Sequence, residues 1–196
     1  MRNPIFPKVI GLAGAAGSGK DTVRKMLEAH GYVGMAFADG LRDMLEVLLV
    51  HTAVPAEWMT DRRLKEEPIP WLGLSYRHLA QTLGTEWGRG LHPDFWTRVT
   101  AMRMANWPCD TPFVLSDVRF ENEVRLVREL GGVIWRIDRP GVAQVRPHIS
   151  ETELAHLVPD DLIGNDGTLE QLQLEVDWAL RRSQFTSKTK LSKVHV

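Results

Sequence analysis

A single cysteine, Cys109, stands in a chain of 196 residues, so no disulfide can form within it. One thiol fits a reducing compartment and reads first as a small apolar side chain rather than a reactive one. No apolar run approaches the roughly 20 residues that cross a bilayer, and the N-terminus lacks a signal-peptide stretch, so the expected location is the cytoplasm. An excess of charge of either sign is also missing. The 24 Lys and Arg against 25 Asp and Glu leave a formal charge of −1, which singles out neither nucleic acid nor a membrane as partner. No spaced cluster of His, Cys and carboxylates marks a built metal centre, and no internal repeat occurs. The rest is ordinary for a soluble globular chain, 43% hydrophobic and 25% charged, and long enough for one domain with an inserted subdomain.

Against that background one segment stands out. Gly11-Leu-Ala-Gly14-Ala-Ala-Gly17-Ser18-Gly19-Lys20-Asp21-Thr22 sets a glycine-rich turn and a lysine between the apolar run at 8–12 and the helix formers of 21–29. Such a turn holds a polyphosphate. Gly14, Gly17 and Gly19 allow backbone conformations closed to other residues and bring N–H groups, Ser18's among them, close to phosphate oxygens. Lys20 adds a point charge and the helix end a partial positive charge. The spacing Gly-x4-Gly-Lys is met at Gly14, Gly19 and Lys20, but Asp21 stands where Ser or Thr normally follows, with Thr22 next. A tight strand-to-helix turn without a ligand is the alternative.

Apolar strand-like runs recur at 8–13, 32–38, 112–116, 132–137 and 160–163, with helical patterns between them. The alternation predicts an α/β fold, a parallel sheet with helices on both faces and ligands beyond the carboxyl ends of its strands. From about 39 to 110 there is no strand pattern, only helical segments near 40–52, 75–89 and 94–106, which reads as a helical insertion. Its charged, proline-rich loop at 55–70 is expected to be mobile or functional. A last helix is expected over 168–182, opening on the capping-box sequence Thr168-Leu-Glu-Gln171; Ser150-Glu-Thr-Glu153 has the same form. Five Lys/Arg and no acid from Arg181 onward predict a basic, flexible tail over 184–196.

Several other residues are suited to chemistry. The run at 111–117 reads as a strand ending in Asp117, an acid placed to orient magnesium or a phosphate acceptor, or else to cap the next helix. Arg119 and Glu123 stand one helical turn apart beside it, either a working pair or an ordinary surface ion pair. Over 75–88, helical spacing gathers Tyr76, Leu79, Ala80, Leu83 and Trp87 on a core arc, with Arg77, His78, Gln81, Gly84, Thr85 and Gly88 opposite. Two glycines on a polar helix face imply close approach by another helix, or by a ligand flanked by Arg77, Gln81 and Thr85. Trp96 is the tryptophan that could wall a base pocket; the others read as packing. Arg136, Arg139 and Arg146 leave a strand in a lid-like loop at about 138–150, where they could neutralise a transferring phosphoryl group or be plain solvated charges. His148 reads as exposed.

Taken in order, Gly17-Ser-Gly-Lys20-Asp-Thr22, Phe37-Ala-Asp39, Gln81-x-Leu-Gly-Thr85-Glu-x-Gly-Arg89, Asp94-x-Trp96, Asp117-Val-Arg119-Phe-x-Asn122-Glu123 and His148-x-Ser-Glu151 resemble the bacteriophage deoxynucleoside monophosphate kinases, over about residues 8–180. The resemblance implies a P-loop kinase three-layer αβα sandwich over 1–183 with a helical monophosphate-binding insertion. It implies transfer of the γ-phosphoryl group of ATP to a deoxynucleoside monophosphate (dNMP), giving the diphosphate, with Mg2+ as cofactor. The departure at Asp21 and Thr22 becomes a family trait, and these two residues become the magnesium-facing pair. Lys20, Asp117 and Arg119 take the catalytic roles, and Arg139 joins the phosphate loop in holding ATP. The monophosphate site maps onto His78, Gln81, Gly84, Thr85, Trp96, Asp117, Arg119 and Glu123. A lysine would be expected at His78, and neighbouring Arg77 is the candidate to replace it. The partner is then the small-molecule dNMP; nucleic acid and membrane are not expected, and a homodimer is left open.

Two other functions share the loop. One is a kinase with a hydroxyl-bearing small metabolite as acceptor, as in dephospho-coenzyme A kinase, with Asp117 as base. The other is an ATP-binding regulator without turnover. DNA binding by the basic tail ranks last.

Overall fold

The computed structural model describes residues 6–141 and 157–191, with side chains as far as Ser183. The expectations at Arg146, His148, Ser150 and Glu151, and most of the lid-like loop, lie outside the described residues. The chain divides into two compact units, Met1–Ala36 with Trp107–Val196, and Phe37–Asn106.

The first unit is built on five parallel strands, β1 (Val9–Ala13), β2 (Val33–Met35), β3 (Phe113–Leu115), β4 (Val133–Asp138) and β5 (Asp161–Gly164), in the order β2-β3-β1-β4-β5. Central β1 is buried at every residue, as a strand covered on both faces must be. On one face Ile10, Leu12, Trp135, Ile137 and Ile163 pack against Val23 and Leu27 of α1 (Lys20–Ala29) and against Leu172, Val176 and Leu180 of the last helix. Each fully buried aliphatic side chain there contributes about 1.5–3 kcal/mol. On the other face helix Glu121–Glu129 closes on Gly11, where a Cβ would come within 2.7 Å of Ile134 Cδ1 and 3.2 Å of Val127 Cγ2. Glycine in mid-strand thus admits the helix. The last helix runs Leu169–Leu191, well past the expected end near 182, because no glycine or proline follows to stop it. Its start matches the capping box: Gln171 Oε1 accepts from the Thr168 N–H at 2.7 Å and Thr168 Oγ1 from the Gln171 N–H at 3.3 Å.

The second unit is helical. Helix α2 (Asp39–His51) turns Leu41, Leu45 and Leu49 toward Ile69, Tyr76 and Trp96. The charged loop that follows is more ordered than its composition implies. It forms α3 (Glu57–Thr60) and a 3₁₀ turn at Leu64–Glu66, and buries Ile69. Asp61 Oδ1 accepts the N–H groups of Arg63 at 2.9 Å and Leu64 at 2.8 Å, and the Leu64 bond leads in holding that carboxyl below its ordinary pKa. The single helix expected over 75–89 is two: α4 (Tyr76–Gln81), then a π-helix (Thr82–Arg89), followed by α5 (Phe95–Ala105). The wider winding rotates later residues out of α-helical phase. Trp87, expected in the core arc, is 42% exposed, and Gly88 is buried instead.

Candidate active site

In the first unit the phosphate-loop residues follow β1 directly. Gly14, Gly17 and Gly19 have φ values of 140°, 80° and 105°, backbone shapes that L side chains rarely adopt. Gly14 also has no space for a side chain, since a Cβ would lie 2.5 Å from the Ile137 carbonyl oxygen at the end of β4. Helix α1 begins at Lys20 with Gly19, which has no side chain to cap it, at its N-cap. The amides of the first turn and the helix dipole together favour an anion. Lys20 Nζ donates to the carbonyl oxygens of Gly14 and Ala15, both at 2.7 Å, and so is held over the loop. Ser18 is 1% exposed and its Oγ has no hydrogen-bond partner among the described residues. Its N–H donates to the Ala15 carbonyl at 3.2 Å, which closes the turn. Asp21 is exposed in the first turn of α1, beside the half-buried Thr22.

The neighbouring strands bring the other expected residues of this unit to the same carboxyl edge. Gly11 pairs with Leu115, the last residue of β3; the chain then turns at Ser116 and Asp117, and the Val118 N–H donates to the Leu12 carbonyl at 3.1 Å, which keeps Asp117 beside the end of β1. Asp117 is 8% exposed and does not cap the next helix, whose N-cap is Phe120. Arg119 is exposed. Glu123 makes neither a working pair nor a surface ion pair with the Arg119 guanidinium. It is 3% exposed, and its Oε2 accepts the backbone N–H groups of Arg119 at 2.6 Å and Phe120 at 3.1 Å, a helix-capping role that fixes the turn carrying Arg119. Arg136 is level with Ala13 on β4, and Arg139 follows the strand; both are exposed.

Sequence reasoning missed Asn165. It follows β5, its N–H donates to the Asp138 carbonyl at 2.8 Å, and its Nδ2 donates to the Ser18 carbonyl at 2.7 Å. The available signal was the turn sequence Asn165-Asp-Gly167 after an apolar strand, at the edge where ligands bind.

In the second unit His78, Gln81 and Thr85 are exposed on α4 and the π-helix. Arg77 is ion-paired with Glu66. The glycines of this face accommodate a helix. Trp96 of α5 lies against them, its Nε1 donating to the Gly84 carbonyl at 2.7 Å and standing 2.5 Å from where a Gly88 Cβ would be. Trp96 is 4% exposed and edge-on to Phe95. The expectation that it walls a base pocket gives way to a packing role, because its ring and its N–H are already used.

A family model described as deoxynucleotide monophosphate kinase matches residues 66–176. A protein of Acanthamoeba polyphaga mimivirus, provisionally named deoxynucleotide monophosphate kinase, is 31% identical over 182 residues, 86% of this chain and 93% of its own length. The deoxynucleotide monophosphate kinase of Escherichia phage RB69 is 29% identical over 110 residues, 55% of this chain and 45% of its own. Among solved structures, a dephospho-CoA kinase from Campylobacter jejuni aligns over 92% of this chain and 98% of its own at 12% identity, with a TM-score of 0.46.

Proposed function

This chain belongs to the deoxynucleotide monophosphate kinase family, and on that premise we propose how its residues divide the phosphorylation of a dNMP. ATP is the donor, and dNDP and ADP are the products. The observation that carries the reading is the loop before α1, with three glycines at positive φ, Lys20 drawn over it and the helix starting from a glycine N-cap.

An oxygen of the acceptor monophosphate attacks the γ-phosphorus, the bond from that phosphorus to the β–γ bridging oxygen breaks, and the electron pair leaves on ADP. The attacking oxygen is already anionic, so the enzyme has to align and neutralise more than it has to remove a proton. The loop amides of Gly14, Gly17, Ser18 and Gly19 hold the donor phosphates, and Lys20 exchanges its two carbonyl partners for β- and γ-phosphate oxygens. Asp117 orients the acceptor or the metal, and Arg119 neutralises the acceptor phosphate. Arg139, at the exposed end of β4, is the weaker candidate for donor charge.

Among the described residues no group of three or more His, Cys, Asp and Glu could hold a metal on protein ligands alone. That suits magnesium, which takes one or two protein oxygens and completes its shell with water and phosphate. Thr22 and Asp21 would hold it, and when bound it offsets phosphate charge. In the second unit His78, Gln81 and Thr85 are the exposed residues proposed to read the acceptor's base and sugar, and Gln81 has the amide to pair with a base edge. Among the described residues no helix is long and apolar enough to cross a membrane, and the reading places the enzyme in the cytoplasm, that of a host if the chain is viral.

The test is coupled ADP release with magnesium-ATP against dTMP, dGMP, dCMP, dAMP, their ribose counterparts and dephospho-coenzyme A. Turnover of deoxy monophosphates supports the assignment and defines the base range. Turnover of dephospho-coenzyme A alone would move the acceptor to a hydroxyl, and ATP binding without turnover would leave a regulator.

A further inference from the structure

The phosphate loop is held at both ends by its own sequence, but its middle is tied to a residue far along the chain. Asn165 Nδ2 donates to the Ser18 carbonyl at 2.7 Å across 147 positions. Its own N–H is anchored on the Asp138 carbonyl at 2.8 Å, which fixes the amide to the end of the sheet. Gly19 shows how close the tie is, since a Cβ there would overlap Asn165 Nδ2. A peptide unit has its carbonyl and its N–H on opposite sides. Holding the Ser18 carbonyl on Asn165 therefore turns the following N–H, that of Gly19, away from Asn165. Gly19 is also the residue from which α1 starts. The contact is thus not a generic packing contact: it fixes the direction of one amide in the set that meets the phosphates.

We propose that Asn165 is a positioning residue for the donor nucleotide: by holding the Ser18 carbonyl it orients the Gly19 amide, and it acts on ATP without touching it. This rests on the reading of the loop as the ATP site. It gives a specific pattern, because only the donor side depends on that peptide. Asn165→Ala removes the donor while keeping the backbone anchor, and is expected to weaken ATP binding about tenfold, the scale of one buried hydrogen bond. The KM for the dNMP and the thermal midpoint should stay close to wild type.

The measurement is titration of a fluorescent ATP analogue, alongside steady-state kinetics with either substrate varied and a melting curve. Weaker ATP binding with unchanged dNMP KM supports the proposal. ATP binding within twofold of wild type would overturn it. So would parallel losses in ATP affinity, dNMP KM and melting temperature, which would make Asn165 a fold residue only. If Asn165→Ala does not fold, Asn165→Ser, which keeps a short polar side chain suited to the turn, is read in the same way. A wild-type chain that binds no ATP would overturn the reading of the loop itself, and this inference with it.

Discussion

Glycine serves the two units in opposite ways. In the phosphate loop Gly14, Gly17 and Gly19 are needed for their dihedral angles, all at positive φ. In the helical unit Gly88 lies within a helix and is needed for the space above it, into which Trp96 fits. The first use shapes a loop of main-chain atoms at the start of α1, the proposed donor-phosphate site. The second closes a helix pair. A glycine can therefore be required either for its backbone angles or for the room it leaves, and the two requirements respond to different substitutions.

The largest effect that probes this contrast is at the lysine. Lys20→Ala should lower turnover by about a thousandfold or more while the circular dichroism spectrum and melting curve are retained. Retained turnover would remove the loop from catalysis and leave both glycine sets structural.

Next come the glycines themselves. Gly14→Ala and Gly88→Ala should each destabilise by about 1–3 kcal/mol, one through backbone strain and one through overpacking. Only Gly88→Ala should respond to a smaller neighbour, because it faces the Trp96 side chain whereas Gly14 faces the Ile137 carbonyl. In urea unfolding, a double-mutant cycle of Gly88→Ala with Trp96→Leu should show a favourable coupling of about 1 kcal/mol. Absence of coupling would mean the Trp96 contact does not set the need for glycine.

Trp96→Phe is a finer probe. It removes the N–H that meets the Gly84 carbonyl and should cost about 1–2 kcal/mol of stability, with the order of preference among the monophosphates unchanged. A changed order in the acceptor panel would return Trp96 to the base pocket.

The smallest effect appears only in alkali. The two tyrosines fall one to each unit, Tyr32 in the sheet unit and Tyr76 in the helical one, and burial raises the pKa of both. Tyr32 also donates its hydroxyl to the Pro7 carbonyl at 2.8 Å. A raised folded pKa on a group that is neutral when protonated means its contribution is complete below the unfolded value of about 10 and is lost as pH rises beyond it. Ultraviolet titration should therefore show no tyrosinate below about pH 10 in the folded chain, with Tyr76 ionising before the more strongly shifted Tyr32. The reverse order, identified with Tyr32→Phe and Tyr76→Phe, would contradict the stronger desolvation of the Tyr32 hydroxyl.

Much of this was legible before any coordinates. The five strand runs lie within a few residues of β1 to β5, and the Thr168 to Gln171 capping box is present as written. Both rest on short-range rules, alternation of apolar runs in one case and side-chain reach to a nearby amide in the other. The differences are at residues where one spacing allows more than one arrangement. Glu123 has the same spacing to Arg119 whether it pairs with the guanidinium or caps the main chain, and burial selected the cap. The 75–89 helix was read at 100° per residue throughout, and the change to π winding at Thr82 moved Trp87 out and Gly88 in.

The sequence by itself determined the glycine-rich turn between β1 and α1, the parallel α/β alternation and the family, because glycine spacing, apolar periodicity and ordered motifs are properties of neighbouring residues. Only the tertiary structure decided that Trp96 fills the space over Gly88, that Glu123 caps its own helix and that Asn165 holds the loop from 147 positions away. The Asn165 contact has no local signature, because strand order alone brings its amide to the Ser18 carbonyl. At Glu123 and Trp96 several nearby partners were possible, and packing decided which one a buried polar group takes.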